Sequence, residues 1–354
     1  MSLHQLALLP SGLRISNLAA YHSFQLGATT LAAGLVSVKE SPPEPGPDEV
    51  LVQVERFSLN FRDRAVAVNT TRELNRRGKA QWWPFGSEFQ GRVVLTGRDV
   101  ASLHVGQEVM GRNDFVADGS GPQGVSTNTA SRRFLKFPEH RVVALPQGMP
   151  AVEASAFSLA AQTGASLVRR TGLEKGGRLL ITGGNSHTSR FAIQIALARG
   201  LSVTVTSRGG NRWEHLSDQV EWISMSELEM AAERGSAMRF DAVIDPFIDV
   251  YAPVAMPFLR EYSPYVTCGF AGQVPGGGEA PTLAGVLIPA MLRNARIDVN
   301  AIGMAYDLEN AIDLWRMGVL QIPPIEEFSS CSVGGFLDSA FGLADSSGRP
   351  VFAY

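Results

Sequence analysis

Two textures of hydrophobic and polar positions divide the chain. In EVLVQVERFSLN, Val50, Val52 and Val54 alternate with Leu51, Gln53 and Glu55, which is the two-residue period of a strand. The Pro-rich approach SPPEPGPDEV, Ser41 to Val50, leads into it. GRVVLTGRDVASLHVGQEVMG, Gly91 to Gly111, then gives two apolar runs, around Val93 and Val109. Turn residues separate them, as in a partly open barrel. The first third is expected to be mostly β.

From Pro150 the texture changes. AVEASAFSLAAQTGASLVRRTG places Val152, Ala156, Leu159, Thr163 and Leu167 along one side of a single helix stopped by Gly172. Short apolar strands then alternate with helical stretches: RLLIT, SRFAIQIALARG, LSVTVT, SELEMAAERG, FDAVID, a further helix and SPYVTCGF. That alternation predicts a parallel sheet with helices on its faces, a Rossmann-like domain. The tail adds a helix, DLENAIDLWRMGVL, and ends on the strand-like PVFAY. The expected class is α/β, with the domain crossing near Pro150. The Gly-rich VPGGGEAP, Val274 to Pro281, reads as a surface loop.

At 354 residues the chain exceeds what one hydrophobic core serves, so two domains are expected. No apolar run reaches the roughly 18 residues that a membrane span requires. MSLHQLALLPSGLRIS lacks the basic start, long apolar centre and small-residue cleavage site of a secretory signal, so a cytoplasmic protein with no membrane partner is expected. Lys and Arg number 31 against 34 Asp and Glu, for a formal charge of -3. No basic cluster is interleaved with aromatics, which argues against a nucleic-acid partner. Cys268 and Cys331 stand far apart without CxxC or Cys/His spacing, which argues against a disulfide framework and a structural zinc. Both read as buried or incidental thiols.

Five strings, in their order and spacing, resemble the medium-chain dehydrogenase/reductase superfamily and, within it, the zinc-independent quinone-oxidoreductase and enoyl-reductase branch. They are FSLNFRDRAV (Phe57 to Val66), PFGSEFQGRVV (Pro84 to Val94), VGQEVMG (Val105 to Gly111), LPQGMPAVEASAFSLAAQTGASLV (Leu145 to Val168) and ITGGNSHTSRFAIQIALARG (Ile181 to Gly200). LNFRD is similar to the enoyl-reductase domains of fatty-acid and polyketide synthases. The resemblance implies a GroES-like, partly open β-barrel catalytic domain over 1–150, completed by 303–354. It implies a doubly wound Rossmann cofactor-binding domain over 151–302, and a homodimer formed through the Rossmann sheet edge.

A catalytic zinc needs three ligands and an open position. Where zinc alcohol dehydrogenases of that superfamily carry a Cys, this chain has Asn60. Where they carry Gly-His-Glu, it has Gly86-Ser87-Glu88, and the third ligand position falls in the Cys-free stretch Leu159 to Thr163. No zinc is expected. The reaction that suits such a scaffold is hydride addition to an alkene polarised by a neighbouring carbonyl.

For the cofactor, Gly183 and Gly184 match the start of the family's glycine-rich turn, while later glycine positions hold Ser186, His187 and Ser189, giving GGNSHTS. Small residues let the backbone approach a pyrophosphate at a helix N-terminus. The side chains of Asn185, Ser186, Thr188 and Ser189 either donate to the phosphates or crowd them. His187 reads as a cofactor contact or a plain glycine replacement. LSVTVT runs into Ser207-Arg208 instead of the acidic residue that chelates the ribose of NAD, which favours NADPH with Arg208 on the 2′-phosphate; the alternative is a solvated arginine. The resemblance adds Thr163, Asp245, Cys268, Gly269, Phe270 and Arg349 near the cofactor, each with a structural alternative.

On the substrate side, Asn60 orients a carbonyl or the nicotinamide ribose, or is a turn amide. Ser87 and Glu88 lie at the ligand pair of the zinc enzymes, and Glu88 alternatively bridges the domains. Arg62 and Asp63 read as a local ion pair stiffening a loop. Trp82, Trp83 and Phe85 line the cleft edge or belong to the core. Related synthase reductases often carry a tyrosine shortly after the RD motif; none follows here, which leaves the proton donor unassigned.

The leading expectation is an NADPH-dependent reductase of an activated C=C bond in a small-molecule substrate, in the setting of a biosynthetic pathway. One alternative is a degenerate reductase scaffold with a non-redox role, supported by the altered turn and absent tyrosine. Another is a trans-acting reductase of carrier-bound substrate, with Arg72, Arg76, Arg77 and Lys79 facing an acidic carrier or only solvent.

Overall fold

The computed structural model describes residues 3–12, 18–38, 42–78, 81–116, 122–207, 216, 218–273, 283–344 and 348–354. Two compact units emerge, chiefly Met1–Leu159 with Pro323–Tyr354, and Ala160–Gly272 with Gly277–Ile322.

The first unit opens with β1 (Leu3–Leu9), β2 (Leu18–Leu26) and β3 (Thr29–Val38), an antiparallel sheet in the order β1-β3-β2. These strands precede the first one expected from sequence; β1 and β3 are apolar on both faces, so the alternation that marks a half-buried strand is missing from them. β4 (Glu49–Ser58) follows, then α1 (Phe61–Arg77), β5 (Glu88–Thr96), β6 (Glu108–Gly111), β7 (Phe134–Pro138), β8 (Val142–Ala144) and the one-turn α2 (Ala151–Ala154). After the second unit the chain returns as β15 (Ile325–Phe328), α9 (Val333–Phe341) and β16 (Arg349–Ala353). The main sheet runs β15-β16-β4-β5-β6-β8, with β7 also on β4. The C-terminal strand is therefore hydrogen-bonded to β4, Phe352 opposite Phe57. Phe57, Phe336 and Phe352 pack with centroids 5.3 to 5.5 Å apart in the core of this unit.

The second unit contains α3 (Ser158–Thr171), whose first two residues belong to the first unit, then β9 (Arg178–Ile181), α4 (His187–Ala198), β10 (Ser202–Ser207), β11 (Glu221–Ser224) and α5 (Met225–Glu233). It continues with β12 (Ala242–Asp245), α6 (Ile248–Ala255), β13 (Pro264–Thr267), α7 (Leu283–Leu292), β14 (Arg296–Val299) and α8 (Ala305–Arg316). The sheet order is β11-β10-β9-β12-β13-β14, with every pair parallel. Numbered from its first strand this is 3-2-1-4-5-6, the doubly wound order. Leu179, Leu180, Ile181, Val243, Ile244 and Val266 are fully buried, as a sheet covered on both faces requires.

Two expectations need correction. The single helix over AVEASAFSLAAQTGASLVRRTG is two, α2 and α3, interrupted by a turn over residues 155–157. Ser155 Oγ donates to the Val152 carbonyl at 2.6 Å, a local side-chain-to-backbone bond that competes with helix continuation. The Arg62–Asp63 pair forms, Arg62 Nη1 to Asp63 Oδ1 3.1 Å, but it lies in the first turn of the 17-residue α1 rather than in a loop.

Candidate functional site

In the first unit, three positions separated in sequence converge. Asn60 sits immediately before α1, Glu88 opens β5 with Ser87 just before it, and Leu159 lies in the first turn of α3. The Asn60 N–H donates to Asp63 Oδ2 at 2.8 Å, one half of a helix capping box. The Asn60 side chain turns elsewhere: Nδ2 donates to Glu88 Oε2 at 3.1 Å and to Ser87 Oγ at 3.4 Å, while Oδ1 accepts from Arg349 Nη2 at 2.8 Å. Ser87 Oγ donates to Asp63 Oδ2 at 2.7 Å. Glu88 also accepts from Ser58 Oγ at 3.1 Å and from the Leu159 N–H at 2.8 Å.

The cluster is dry: Asp63 and Glu88 are 1% exposed and Ser87 is fully buried. Burial raises the carboxyls of Glu88 and Asp63 above the ordinary range, against the pull of Arg349 on the first and Arg62 on the second. Burial also lowers Arg349, which both acids oppose. Arg349, placed near the cofactor by resemblance, is thus bound to Asn60 and stands 3.8 Å from Glu88 inside this unit. Both amide protons of Asn60 and the Ser87 hydroxyl proton are engaged within the cluster. Asp63 is the member that sequence reading treated as a simple ion-pair partner. The Asn60-x-x-Asp63 spacing before an apolar run is the signal that reveals it as a cap.

In the second unit, the GGNSHTS turn links β9 to α4 beside the end of β12. This is the switch point where strand order reverses and where open α/β sheets bind ligands. Gly183 has φ +56°, a left-handed conformation, and a Cβ at Gly184 would stand 2.3 Å from Val205 Cγ1. Both positions therefore require glycine. Ser186 caps α4, its Oγ accepting from the Ser189 N–H at 3.1 Å and donating to Ser189 Oγ at 2.8 Å; Ser189 Oγ donates to the Thr182 carbonyl at 2.9 Å. The two hydroxyl protons expected on a phosphate are engaged within the turn, and the helix-start N–H groups carry that potential instead. His187 stacks edge-on to Phe191 at 5.3 Å, and Thr188 is half-buried in the first turn of α4. Asn185 Nδ2 reaches Ser207 Oγ at 3.4 Å, joining the turn to the end of β10. Arg208, the proposed 2′-phosphate ligand, lies outside the described residues, as do Lys79 and the Val274 to Pro281 loop.

Asp245 faces inward. It accepts from Thr182 Oγ1 at 2.6 Å, from the Phe247 N–H at 2.9 Å and from the Tyr265 hydroxyl, tying together the ends of β9, β12 and β13. Burial raises its carboxyl to about 6. Cys268 is half-buried, and desolvation with Asp245 nearby pushes its thiol up to about 12, so it stays protonated. Cys331 is exposed, which leaves the incidental thiol of the two alternatives. Gly269 is backbone-bonded to Ile248, and Phe270 is exposed. Asp249, unremarked in the sequence, accepts from the N–H groups of Ala271 and Gly272, each at 2.6 Å, and so holds the loop after β13. Thr163 lies half-buried on α3, one residue before Gly164, where a Cβ would meet the Ala192 backbone nitrogen at 3.0 Å.

Of the other candidates, Phe85 is core, Trp82 packs on a small apolar cluster of β1 and β3, and Trp83 is half exposed. Arg76 and Arg77 both bind Glu73, at 2.8 and 2.7 Å, which lowers that carboxyl to about 2. Two of the three described cations of the basic patch therefore already face an acid. Among the described residues, no group of three or more His, Cys, Asp or Glu side chains is arranged to hold a metal ion. No described helix is long and apolar enough to cross a membrane.

Residues 46–147 match the alcohol dehydrogenase GroES-like domain. A quinone oxidoreductase structure from Pseudomonas syringae pv. tomato superposes with a TM-score of 0.70 over 100% of both chains at 20% identity. A barrel of this kind joined to a 3-2-1-4-5-6 sheet defines a two-domain dehydrogenase fold. The chain carries that GroES-like domain and has the fold of the medium-chain dehydrogenase/reductase superfamily. Among curated relatives, a trans-enoyl reductase of Aspergillus terreus is 30% identical over 243 residues, 65% of this chain and 64% of that protein. A trans-enoyl reductase of Aspergillus japonicus is 24% identical over 253 residues, 66% of each chain. The matches span just under two thirds of these relatives' length.

Proposed function

We propose that the protein is an NADPH-dependent, zinc-independent reductase of a carbon–carbon double bond activated by a carbonyl, in an enone or enoyl thioester. The observation that carries the reading is the glycine turn at the switch point of a 3-2-1-4-5-6 parallel sheet. Gly184 lets the turn pack closely on Val205 and Trp222, and the left-handed Gly183 turns the backbone so that the N–H groups opening α4 can approach a pyrophosphate. NADPH supplies a hydride when bound. In this reading Gly183, Gly184, Asn185, His187 and Thr188 hold the pyrophosphate, and Ser207 and Arg208 take the 2′-phosphate. Thr163 and residues 268–270 face the nicotinamide. Asn60, Ser87, Glu88 and Arg349 are positioning residues, because their polar groups satisfy one another. Water supplies the proton at the α-carbon, and the protein works as a homodimer in the cytoplasm.

The names of the two fungal relatives, trans-enoyl reductases, support an enoyl group as the substrate; its delivery in trans on a carrier protein is the narrower form of this reading. A second reading retains the scaffold without hydride transfer; the engaged Ser186 and Ser189 hydroxyls favour it. Titration with NADPH and NADH, read by thermal shift, separates the two. NADPH-selective binding that is lost in Arg208→Ala supports the reductase, and absence of binding by either nucleotide overturns it.

A further inference from the structure

Residues 268–272 leave the C-terminal end of β13, beside the end of β12. Loops at this edge of an open parallel sheet carry its ligand. Their backbone groups have left the strand ladder, so their shape depends on what else satisfies them. Here the first turn of α6 does so. The Ile248 N–H donates to the Gly269 carbonyl at 3.2 Å, and Thr267 Oγ1 donates to the same carbonyl at 3.2 Å. Asp249 accepts from two successive amides, the Ala271 N–H on Oδ1 and the Gly272 N–H on Oδ2, each at 2.6 Å. Hydrogen bonds from a backbone N–H to a carboxylate are the short, strong kind. Between these anchors lies Phe270, whose ring is left 49% exposed. The loop is thus pinned through its polar backbone and not by burial of its largest side chain.

The segment that grips this loop also touches the glycine turn. The Phe247 N–H donates to Asp245 Oδ1 at 2.9 Å. A Cβ on Gly183 would stand 3.3 Å from the Phe247 ring and 3.7 Å from the Tyr251 ring, so both rings lie against the turn. Residues 245–251 therefore meet the turn through Phe247 and Tyr251, and the loop after β13 through Ile248 and Asp249. The sheet order β11-β10-β9-β12-β13-β14 puts the end of β10 on one side of the turn and the ends of β12 and β13 on the other. A dinucleotide lying across this crevice with its pyrophosphate at the turn has one nucleoside half on each side.

We infer that Asp249 is a positioning residue for the nicotinamide half of NADPH. By clamping the Ala271 and Gly272 amides it fixes residues 268–272, Phe270 among them, in the shape that receives the nicotinamide. Asp249 acts through the loop and not on the cofactor. The inference rests on the NADPH reading above and adds to it a residue of α6. The adenosine half, held at the end of β10 in that reading, does not depend on the clamp.

Calorimetric titration of the full chain with NADPH and, separately, with adenosine 2′,5′-bisphosphate, which lacks the nicotinamide half, provides the test. Asp249→Ala is expected to weaken NADPH binding about tenfold, because apparent affinity falls with the fraction of molecules whose loop is in the receptive shape. Its affinity for the bisphosphate is expected to equal the parent's, which also shows that the variant is folded. Asp249→Asn keeps one carbonyl oxygen for one of the two amides, and a loss of about threefold is expected, again with NADPH alone. Equal losses with both ligands show that Asp249 supports the whole crevice and overturn the inference. NADPH affinity unchanged in both variants overturns it while leaving the NADPH reading intact. A parent that binds neither ligand overturns the NADPH reading, and the inference with it.

Discussion

Asp245 carries a pH dependence that the geometry fixes in sign. Its carboxyl is raised from 3.8 to about 6, chiefly by burial, against hydrogen bonds from Thr182, Tyr265 and Phe247. The folded state therefore binds this proton more tightly than the unfolded chain. The stabilisation is fully present below about pH 3.8, fades as pH rises, and is lost above about 6. At 1.36 kcal/mol per pH unit, the interval corresponds to about 3 kcal/mol. Asp245→Asn removes the titration and keeps a carbonyl oxygen to accept from Thr182 and Phe247. Its fixed cost, from an amide facing the Tyr265 hydroxyl, does not vary with pH. Denaturant unfolding of parent and variant at intervals from pH 4 to 8 isolates the difference, because the other groups cancel. The variant is expected to gain on the parent by about 2.4 kcal/mol across that range. A difference that stays flat, or falls with pH, would falsify the assignment of Asp245 as a buried, proton-binding tie between β9, β12 and β13.

Three further outcomes are expected. Gly184→Ala drives a methyl to 2.3 Å from Val205 Cγ1 and is expected to lose about 1–3 kcal/mol of stability, read by denaturant unfolding, with weakened NADPH binding. Arg349→Met leaves Asn60 Oδ1 without its donor and Glu88 without its nearest cation; a loss of about 3–5 kcal/mol is expected, and a loss below about 1 kcal/mol refutes the mutual dependence of the cluster. Ser189→Ala removes the hydroxyl that binds the Thr182 carbonyl, for a loss of about 1 kcal/mol; unchanged NADPH affinity in this variant confirms that the hydroxyl serves the turn rather than the phosphate.

Much of the second unit was legible because its signals are local. The strands in RLLIT, LSVTVT, FDAVID and SPYVTCGF are short apolar runs bounded by turns, and Gly183 and Gly184 mark a turn that tolerates no side chain. The resemblance likewise rested on strings of neighbouring residues. The 17-residue α1 escapes a reading in which Arg62 and Asp63 form a loop ion pair, because the Asn60-x-x-Asp63 cap that opens the helix carries no weight there. The opening sheet was not read because strands buried on both faces show no alternation. What tertiary structure alone decided is where polar groups turn. Asn60, Asp63, Ser87, Glu88 and Arg349 are spread across 290 residues, yet they meet because β16 pairs with β4. Asp245 faces Tyr265 only because β12 neighbours β13. Nothing in local sequence distinguishes a serine that will bind a phosphate from one that will bind the carbonyl seven residues behind it. Hydrogen-bond partners distant in sequence are set by strand pairing and burial, which a one-dimensional pattern does not encode.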